Sequence, residues 1–179
     1  MARRGCLRIA TLALMGLAGG SAVRAAAPRA AERRLSFYNT HTRERVDVAY
    51  WAEGRYVPEA LARIDRVLRD HRTGAVQPID RRLLELLHTL RVELDVKGPF
   101  HVISGYRSPE SNAYLRGLSP TSGVAQKSQH MLGRAIDIRI PGVPIASIRR
   151  AAVAMQKGGV GFYPASDFVH VDVGRVRTW

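Results

Sequence analysis

Hydrophobic and polar residues alternate along several short segments of the chain, and this alternation predicts β-strands. The clearest segment is RAIDIRI at 134–140, where three isoleucines face one way while Asp137 and Arg139 face the other. Similar patterns predict further strands in residues 35–51 (two strands around a turn near 42–44), 100–106, 158–163 and 167–173.

Other segments repeat apolar residues with helical spacing. Residues 57–71 and 77–94 each carry one apolar stripe and an early proline, which predicts two amphipathic helices. Residues 108–118 predict a helix with Ser108 as its N-cap and a proline at the first helical position. Residues 144–158 predict another substantial helix. The mixture predicts the α+β class, with helices packed against a small, mainly antiparallel sheet.

The first 27 residues have the pattern of a cleavable export signal: a basic start, an apolar run of about 12 residues and small residues near a cleavage site. The apolar run is too short to cross a bilayer, which needs about 20 residues. An early arginine pair resembles a twin-arginine signal, but Cys6 replaces the usual aromatic residue, so Sec export remains open. We expect a linker at 28–34, one domain at 35–179, and a periplasmic or cell-envelope location.

Charge narrows the range of partners. The formal net charge is +13, and removal of the predicted signal, with four arginines and no acidic residue, leaves +9. A basic exported domain is attracted to anionic polymers or membrane surfaces, although an arginine-rich composition without a specific partner remains an alternative. Export, and the lack of a compact basic stretch with aromatic residues, argue against nucleic acid. The predicted contact with the membrane is through the signal peptide before its cleavage.

The only cysteine, Cys6, lies in the predicted signal, so the mature chain has no thiolate ligand for a metal. Nitrogen and oxygen atoms must then hold any metal ion. The chain has six histidines, and four of them are expected to have structural or solvent-facing roles: His41, His71, His88 and His101.

The two remaining histidines have a different setting. His130 lies on a loop just before the strand that carries Asp137, and His170 lies on a strand face opposite three valines. Two neighbouring strands could therefore direct Asp137 and His170 to one point, with His130 brought in from its loop. Two imidazoles, one carboxylate and an open position form the usual catalytic zinc set, although other divalent ions accept these ligands. The alternative is that Asp137 pairs with an arginine and the histidines are ordinary.

Three sequence blocks carry a family resemblance. Residues 128–137, SQHMLGRAID, match Ser-x-His-x-x-Gly-x-Ala-x-Asp, while SGYRSPESN at 104–112 and DFVHVDVGRVRTW at 167–179 match two more blocks in the same order. The chain resembles the zinc D-alanyl-D-alanine carboxypeptidase and murein endopeptidase family, peptidase family M15, and within it an exported branch known as domain of unknown function 882. The resemblance covers about residues 35–179 and implies the α+β fold shared with hedgehog-like domains.

The resemblance also implies site roles. It implies one Zn²⁺ ion held by three ligands: His130, Asp137 and His170. Asp167, three residues before the last ligand, is implied to be the general base, and Arg107 is implied to stabilise oxyanion charge or grip a substrate carboxylate. Asp172 competes with Asp167 for the base role or supports the ligands.

The implied activity is hydrolysis of peptide cross-links in peptidoglycan by a metal-activated water. The alternatives are a non-catalytic zinc module that binds the cell wall or an envelope partner, and a D-Ala-D-Ala carboxypeptidase. The sequence leaves open whether a D,D or an L,D bond is cut, and it does not indicate the oligomeric state.

Overall fold

A computed structural model describes residues 32–118 and 123–179 of the 179-residue chain. The predicted signal peptide and most of the predicted linker lie outside the described residues. The first strand begins at Arg33, so the last two residues assigned to the linker belong to the sheet.

Within the described residues, the strands are β1 (Arg33–Asn39), β2 (Arg45–Ala52), β3 (Arg55–Tyr56), β4 (Phe100–Ser104), β5 (Ala135–Arg139), β6 (Gly159–Tyr163), β7 (Phe168–Asp172) and β8 (Arg177–Thr178). The helices of the same part of the chain are α1 (Pro58–Val67), α2 (Arg81–Glu93), α3 (Pro109–Gly117) and α4 (Ile145–Ala154). Short 3-10 helices span Gln129–Leu132 and Pro164–Ser166.

The described strands form one sheet in the order β3-β2-β1-β4-β5-β7-β6-β8. Only the pairs β1/β4 and β6/β8 are parallel within this sheet. The mainly antiparallel sheet and the four helices of the described residues confirm the predicted α+β class.

The core lies between one face of the sheet and helices α1, α2 and α4, as the apolar stripes predict. Strand residues and helix residues of this core are fully buried. The strands contribute Phe37, Phe100, Ile136, Ile138, Val169 and Val171. The helices, with the residue that follows α1, contribute Ile64, Leu68, Leu83, Leu87, Leu90 and Ile148. Because β5 and β7 put their aliphatic residues on this face, their polar residues project from the opposite face.

Two helix starts follow from local hydrogen bonds. Ser108 caps α3 as predicted, since its side chain accepts from the backbone N–H of Ser111. The helix predicted from residue 77 begins later, at Arg81, because Asp80 is the cap and accepts from Arg82 N–H. Among the described residues, no helix combines the length and apolarity that a membrane-spanning segment requires.

Candidate metal centre

The structure brings His130, Asp137 and His170 together on the polar face of the sheet. Asp137 on β5 pairs directly with His170 on β7, and His130 approaches from the 3-10 helix. His130 Nε2 lies 3.2 Å from His170 Nδ1 and 3.3 Å from Asp137 Oδ1, and His170 Nδ1 lies 2.9 Å from Asp137 Oδ1. Ligand atoms about 2.0–2.2 Å from one tetrahedral ion are separated by roughly 3.3 Å, so the three atoms fit one metal ion.

The motif around His130 fixes the direction of its ring. His130 Nδ1 donates to the Gly105 carbonyl oxygen at 2.7 Å, which leaves the lone pair on Nε2 to face the other two ligands. Ser128 accepts from His130 N–H and caps the short helix. Gly133 ends that helix at φ 64°, and a Cβ there would lie 2.5 Å from the carbonyl oxygen of Pro78. The serine and glycine of the motif therefore position the histidine.

A buried carboxylate fixes the ring of His170. His170 Nε2 donates to Asp172 Oδ2 at 3.0 Å. Asp172 is fully buried and also accepts from the backbone N–H groups of Gly159 and Gly174. Arg177 binds both carboxylate oxygens of Asp172, at 2.7 and 3.2 Å. This arrangement, in which a carboxylate holds the second nitrogen of a ligand histidine, is typical of metal sites and directs His170 Nδ1 toward the centre.

The electrostatics of His170 and Asp137 also favour a bound cation. Burial lowers the pKa of His170, but its hydrogen bonds with Asp137 and Asp172 outweigh burial and hold that pKa above its ordinary value. Burial raises the pKa of Asp137, but His130 and His170 outweigh it and hold that pKa well below the usual range. A proton and a metal ion would thus compete for the Nδ1 lone pair of His170 beside an ionised carboxylate.

The three residues open into a cleft of about 350 Å³. Their side chains are 4–10% exposed, so they are buried but reachable from solvent through the cleft. The lining combines cationic and aromatic side chains: Arg107, Lys127, Arg177, Tyr163, Phe168 and Trp179.

Comparisons with known proteins show which sequences this chain is similar to. The family model described as "Peptidoglycan L,D-endopeptidase MepK", of the M15 peptidases, matches residues 27–179. Peptidoglycan L,D-endopeptidase MepK of Escherichia coli (strain K12) is 39% identical over 175 residues, which cover 94% of each chain. The probable peptidoglycan L,D-endopeptidase MepK of Haemophilus influenzae is 40% identical over 148 residues, which cover 82% of this chain and 78% of the relative.

The chain belongs to the M15 peptidase family. The family assignment made from the three sequence blocks is therefore confirmed. M15 peptidases are metal-dependent hydrolases, and within the described residues His130, Asp137 and His170 are the group that could hold a metal ion. The individual roles of these residues in this M15 member remain predictions.

Arg107, predicted to bind charge in the M15 site, lies in the cleft beside a ligand. Its Nη2 is 3.8 Å from Asp137 Oδ2, and its side chain is only 12% exposed. The hydrogen bonds to Asn112 and Ser104 are long, at 3.5 Å, and its buried Nε has no partner among the described residues. The guanidinium is therefore held close to the centre but is incompletely satisfied, as expected for a group that binds a substrate oxygen.

Asp167, the base implied by the M15 resemblance, is not brought into the cleft. It ends the 3-10 helix Pro164–Ser166 with φ 52°, and its side chain is 65% exposed. Its carboxylate faces Arg139, with Oδ2 3.4 Å from Nη1. Asp172 is committed to His170 and Arg177. Among the described residues that line the cleft, Asp137 is the only acid.

Sequence reasoning missed several parts of this M15 site. The Gly105 carbonyl and Arg177 position the ligand histidines, and Tyr163 and Trp179 line the cleft. A signal was present in the alternating glycines of GGVGFY at 158–163, because glycines on one face of a strand indicate close approach of another group.

Proposed function

We propose that this protein is an exported zinc-dependent endopeptidase that hydrolyses the peptide cross-links of peptidoglycan, at L,D bonds. The convergence of His130, Asp137 and His170 in an open cleft is the observation that carries the proposal. The relatives named peptidoglycan L,D-endopeptidase support both the substrate and the bond.

We assign zinc to the three ligands because two imidazoles and one carboxylate leave the fourth tetrahedral position open. Bound there, zinc would supply a Lewis acid and lower the pKa of a water molecule from 15.7 to about 7. The chain itself supplies the orientation: Gly105 and Asp172 hold the two rings, and Arg177 holds Asp172.

Arg107 is proposed to bind the carbonyl oxygen of the scissile peptide as negative charge develops on it. Its guanidinium lies at the edge of the ligand set, where a peptide entering the cleft would pass. Removal of one such donor typically lowers turnover about 100- to 1,000-fold. Lys127, another cation of the cleft, suits the free carboxylates of peptidoglycan stems.

Asp167 is proposed as the general base, on the strength of the family resemblance. In this role its carboxylate would have to leave Arg139 and turn toward the cleft, a change that its exposed position permits. Aspartate or glutamate in this role accepts a proton from water and returns it to the leaving amine.

The test is digestion of defined muropeptides by the purified protein: an L,D-cross-linked dimer, a D,D-cross-linked dimer and an uncross-linked pentapeptide. We expect zinc-dependent conversion of the L,D dimer to monomers, loss of that activity with a chelator, and recovery with added zinc. Cleavage of the D,D dimer alone would contradict the bond assignment, and release of D-alanine from the pentapeptide alone would indicate a carboxypeptidase. Saturable binding without any cleavage would indicate the non-catalytic alternative.

We further propose that the peptide at residues 1–27 directs export to the periplasm by the twin-arginine route. The arginine pair at positions 3 and 4 supports this route. Replacing both arginines by lysine should block export, and continued export in a strain without the twin-arginine translocase would indicate Sec.

A further inference from the structure

Strand β6 has glycine at two positions, Gly159 and Gly161, on the sheet face that carries the metal centre. Gly161 pairs with His170 across β6 and β7, and Gly159 pairs with Arg177 across β6 and β8. A Cβ at Gly161 would lie 2.7 Å from the indole of Trp179, and a Cβ at Gly159 would collide with the guanidinium of Arg177. The two glycines therefore form a trough that seats Arg177 and Trp179.

Main-chain pairing holds Trp179 in this trough beside the metal centre. Trp179 N–H donates to the Val160 carbonyl at 3.2 Å, and its own carbonyl accepts from Phe162 N–H at 3.0 Å. The indole centroid lies 5.2 Å from that of His170, and the Arg177 guanidinium lies 4.7 Å from the indole centroid. Trp179 nevertheless remains 47% exposed, so it forms a wall of the cleft and is not part of the core.

Trp179 also sets the orientation of a second cleft residue. Its Nε1–H donates to the Tyr163 hydroxyl oxygen at 2.8 Å, and the Tyr163 ring stacks on Phe168 with centroids 4.5 Å apart. Because an indole nitrogen can only donate, the hydroxyl oxygen must accept, and its own proton is directed elsewhere. No described residue accepts that proton, so it is available to a ligand in the cleft.

We propose that Tyr163 and Trp179 form a substrate subsite next to the metal centre, in which the Tyr163 hydroxyl donates to an oxygen of the bound peptide. The Trp179 ring supports the peptide through contact with its aliphatic atoms. A stem peptide offers amide carbonyl and carboxylate oxygens, and a preoriented hydroxyl beside an aromatic wall binds either. This subsite rests on the proposed peptidoglycan function and adds specificity residues to it.

Steady-state kinetics test the role of the Tyr163 hydroxyl. Tyr163→Phe should raise KM for the cross-linked muropeptide about three- to tenfold, the range for one lost hydrogen bond, with kcat within about twofold of wild type. Trp179→Phe keeps a ring but loses the donor, so it should raise KM, and the double variant should be no worse than the poorer single variant. Tyr114→Phe, on the exposed face of α3, is the matched control and should be unchanged. Unchanged KM in Tyr163→Phe, additive effects, or loss of bound zinc in either variant would overturn the proposal.

Fluorescence tests the subsite without turnover. The chain has two tryptophans, Trp51 and Trp179, so Trp51→Phe leaves emission from Trp179 alone. Titration of this zinc-depleted variant with the muropeptide should shift or quench its emission, whereas the zinc-depleted Trp179→Phe variant, which reports Trp51, should not respond. An emission response only from Trp51 would overturn the subsite. If wild type binds in this way but never cleaves, the proposed function fails while the subsite stands.

Discussion

The fold contains two close pairs of imidazoles with opposite chemical settings. His130 and His170 meet edge to face with centroids 5.0 Å apart, whereas His41 and His71 stack with centroids 3.8 Å apart and an angle of 6° between their planes. Asp137 Oδ1 contacts a nitrogen of each of the first two rings. His41 Nε2 instead donates to the Ile103 carbonyl oxygen, and the described residues provide no metal-binding group that includes the stacked pair.

The carboxylate near each pair explains the difference. Asp137 and Asp172 hold the pKa of His170 above its ordinary value. Asp70, next in sequence to His71, accepts backbone N–H bonds from Ser108 and Arg72. Burial, with help from His41 and nearby arginines, outweighs the opposing charge of Asp70 and lowers the pKa of His71 to about 4. In this fold, the pair with a shared carboxylate oxygen and hydrogen bonds that orient both rings is the candidate metal site.

The largest expected effect comes from breaking the first pair. His130→Ala should lose bound zinc and hydrolysis together. The activity loss should exceed the loss of about 10- to 100-fold that is typical when a residue only supports a ligand. Metal analysis and muropeptide digestion measure this. His41→Ala breaks the stacked pair and should leave both quantities unchanged. Stoichiometric zinc in His130→Ala would show that the ligand assignment is wrong.

The next largest effect concerns Asp167, which contacts neither histidine pair. If Asp167 is the base, Asp167→Asn should keep the zinc but lower kcat about 100- to 10,000-fold, since proton transfer contributes that much. Asp95→Asn is a matched control, because Asp95 is also an exposed aspartate with positive φ. A normal rate in Asp167→Asn would remove this residue from the mechanism.

A smaller effect separates the two supporting carboxylates. Asp172→Asn weakens the hold on His170 and should reduce zinc affinity about 10- to 100-fold. Asp70→Asn should instead lower the free energy of unfolding, because Asp70 caps the turn before α3 and the loop at Arg72, and should leave zinc affinity unchanged. Competition with a chromophoric chelator measures the affinity, and equal zinc affinity in both variants would contradict the comparison.

The smallest effect is the pH dependence of the stacked pair. Since the folded pKa of His71 is about 4 and the unfolded value about 6.5, the unfolded chain binds a proton first as pH falls. Stability from this residue is complete above pH 6.5 and is lost toward pH 4, by about 1–2 kcal/mol after allowance for partial exposure. Urea unfolding should therefore show a flatter pH dependence for His71→Gln than for wild type. Identical slopes would assign the acid sensitivity to other groups.

Strand alternation made much of the centre predictable from sequence. The isoleucines of β5 and the valines of β7 showed which way Asp137 and His170 point, and the spacing of the motif connected His130 to the same place. Strands β5 and β7 are both long enough to show alternation with a period of two, because their polar residues stand between apolar ones.

The missed parts depend on contacts that local patterns do not encode. Strands β3 and β8 have two residues each, too few for any periodicity, so the sequence pattern does not place Arg177 behind Asp172. The role of Asp167 stays a prediction; its turn takes a left-handed conformation and its carboxylate faces Arg139, an orientation that its spacing from His170 does not encode. Neither the register of an edge strand nor the backbone angle at one aspartate follows from residue type.

Strand β8 sits at the rim of the sheet, yet its Arg177 anchors the carboxylate that aligns His170. Edge segments with few backbone bonds fray at lower free energy than the core. Mild denaturant should therefore reduce activity while the sheet behind it stays intact, because detachment of this short strand removes the arginine that holds Asp172 behind the imidazole.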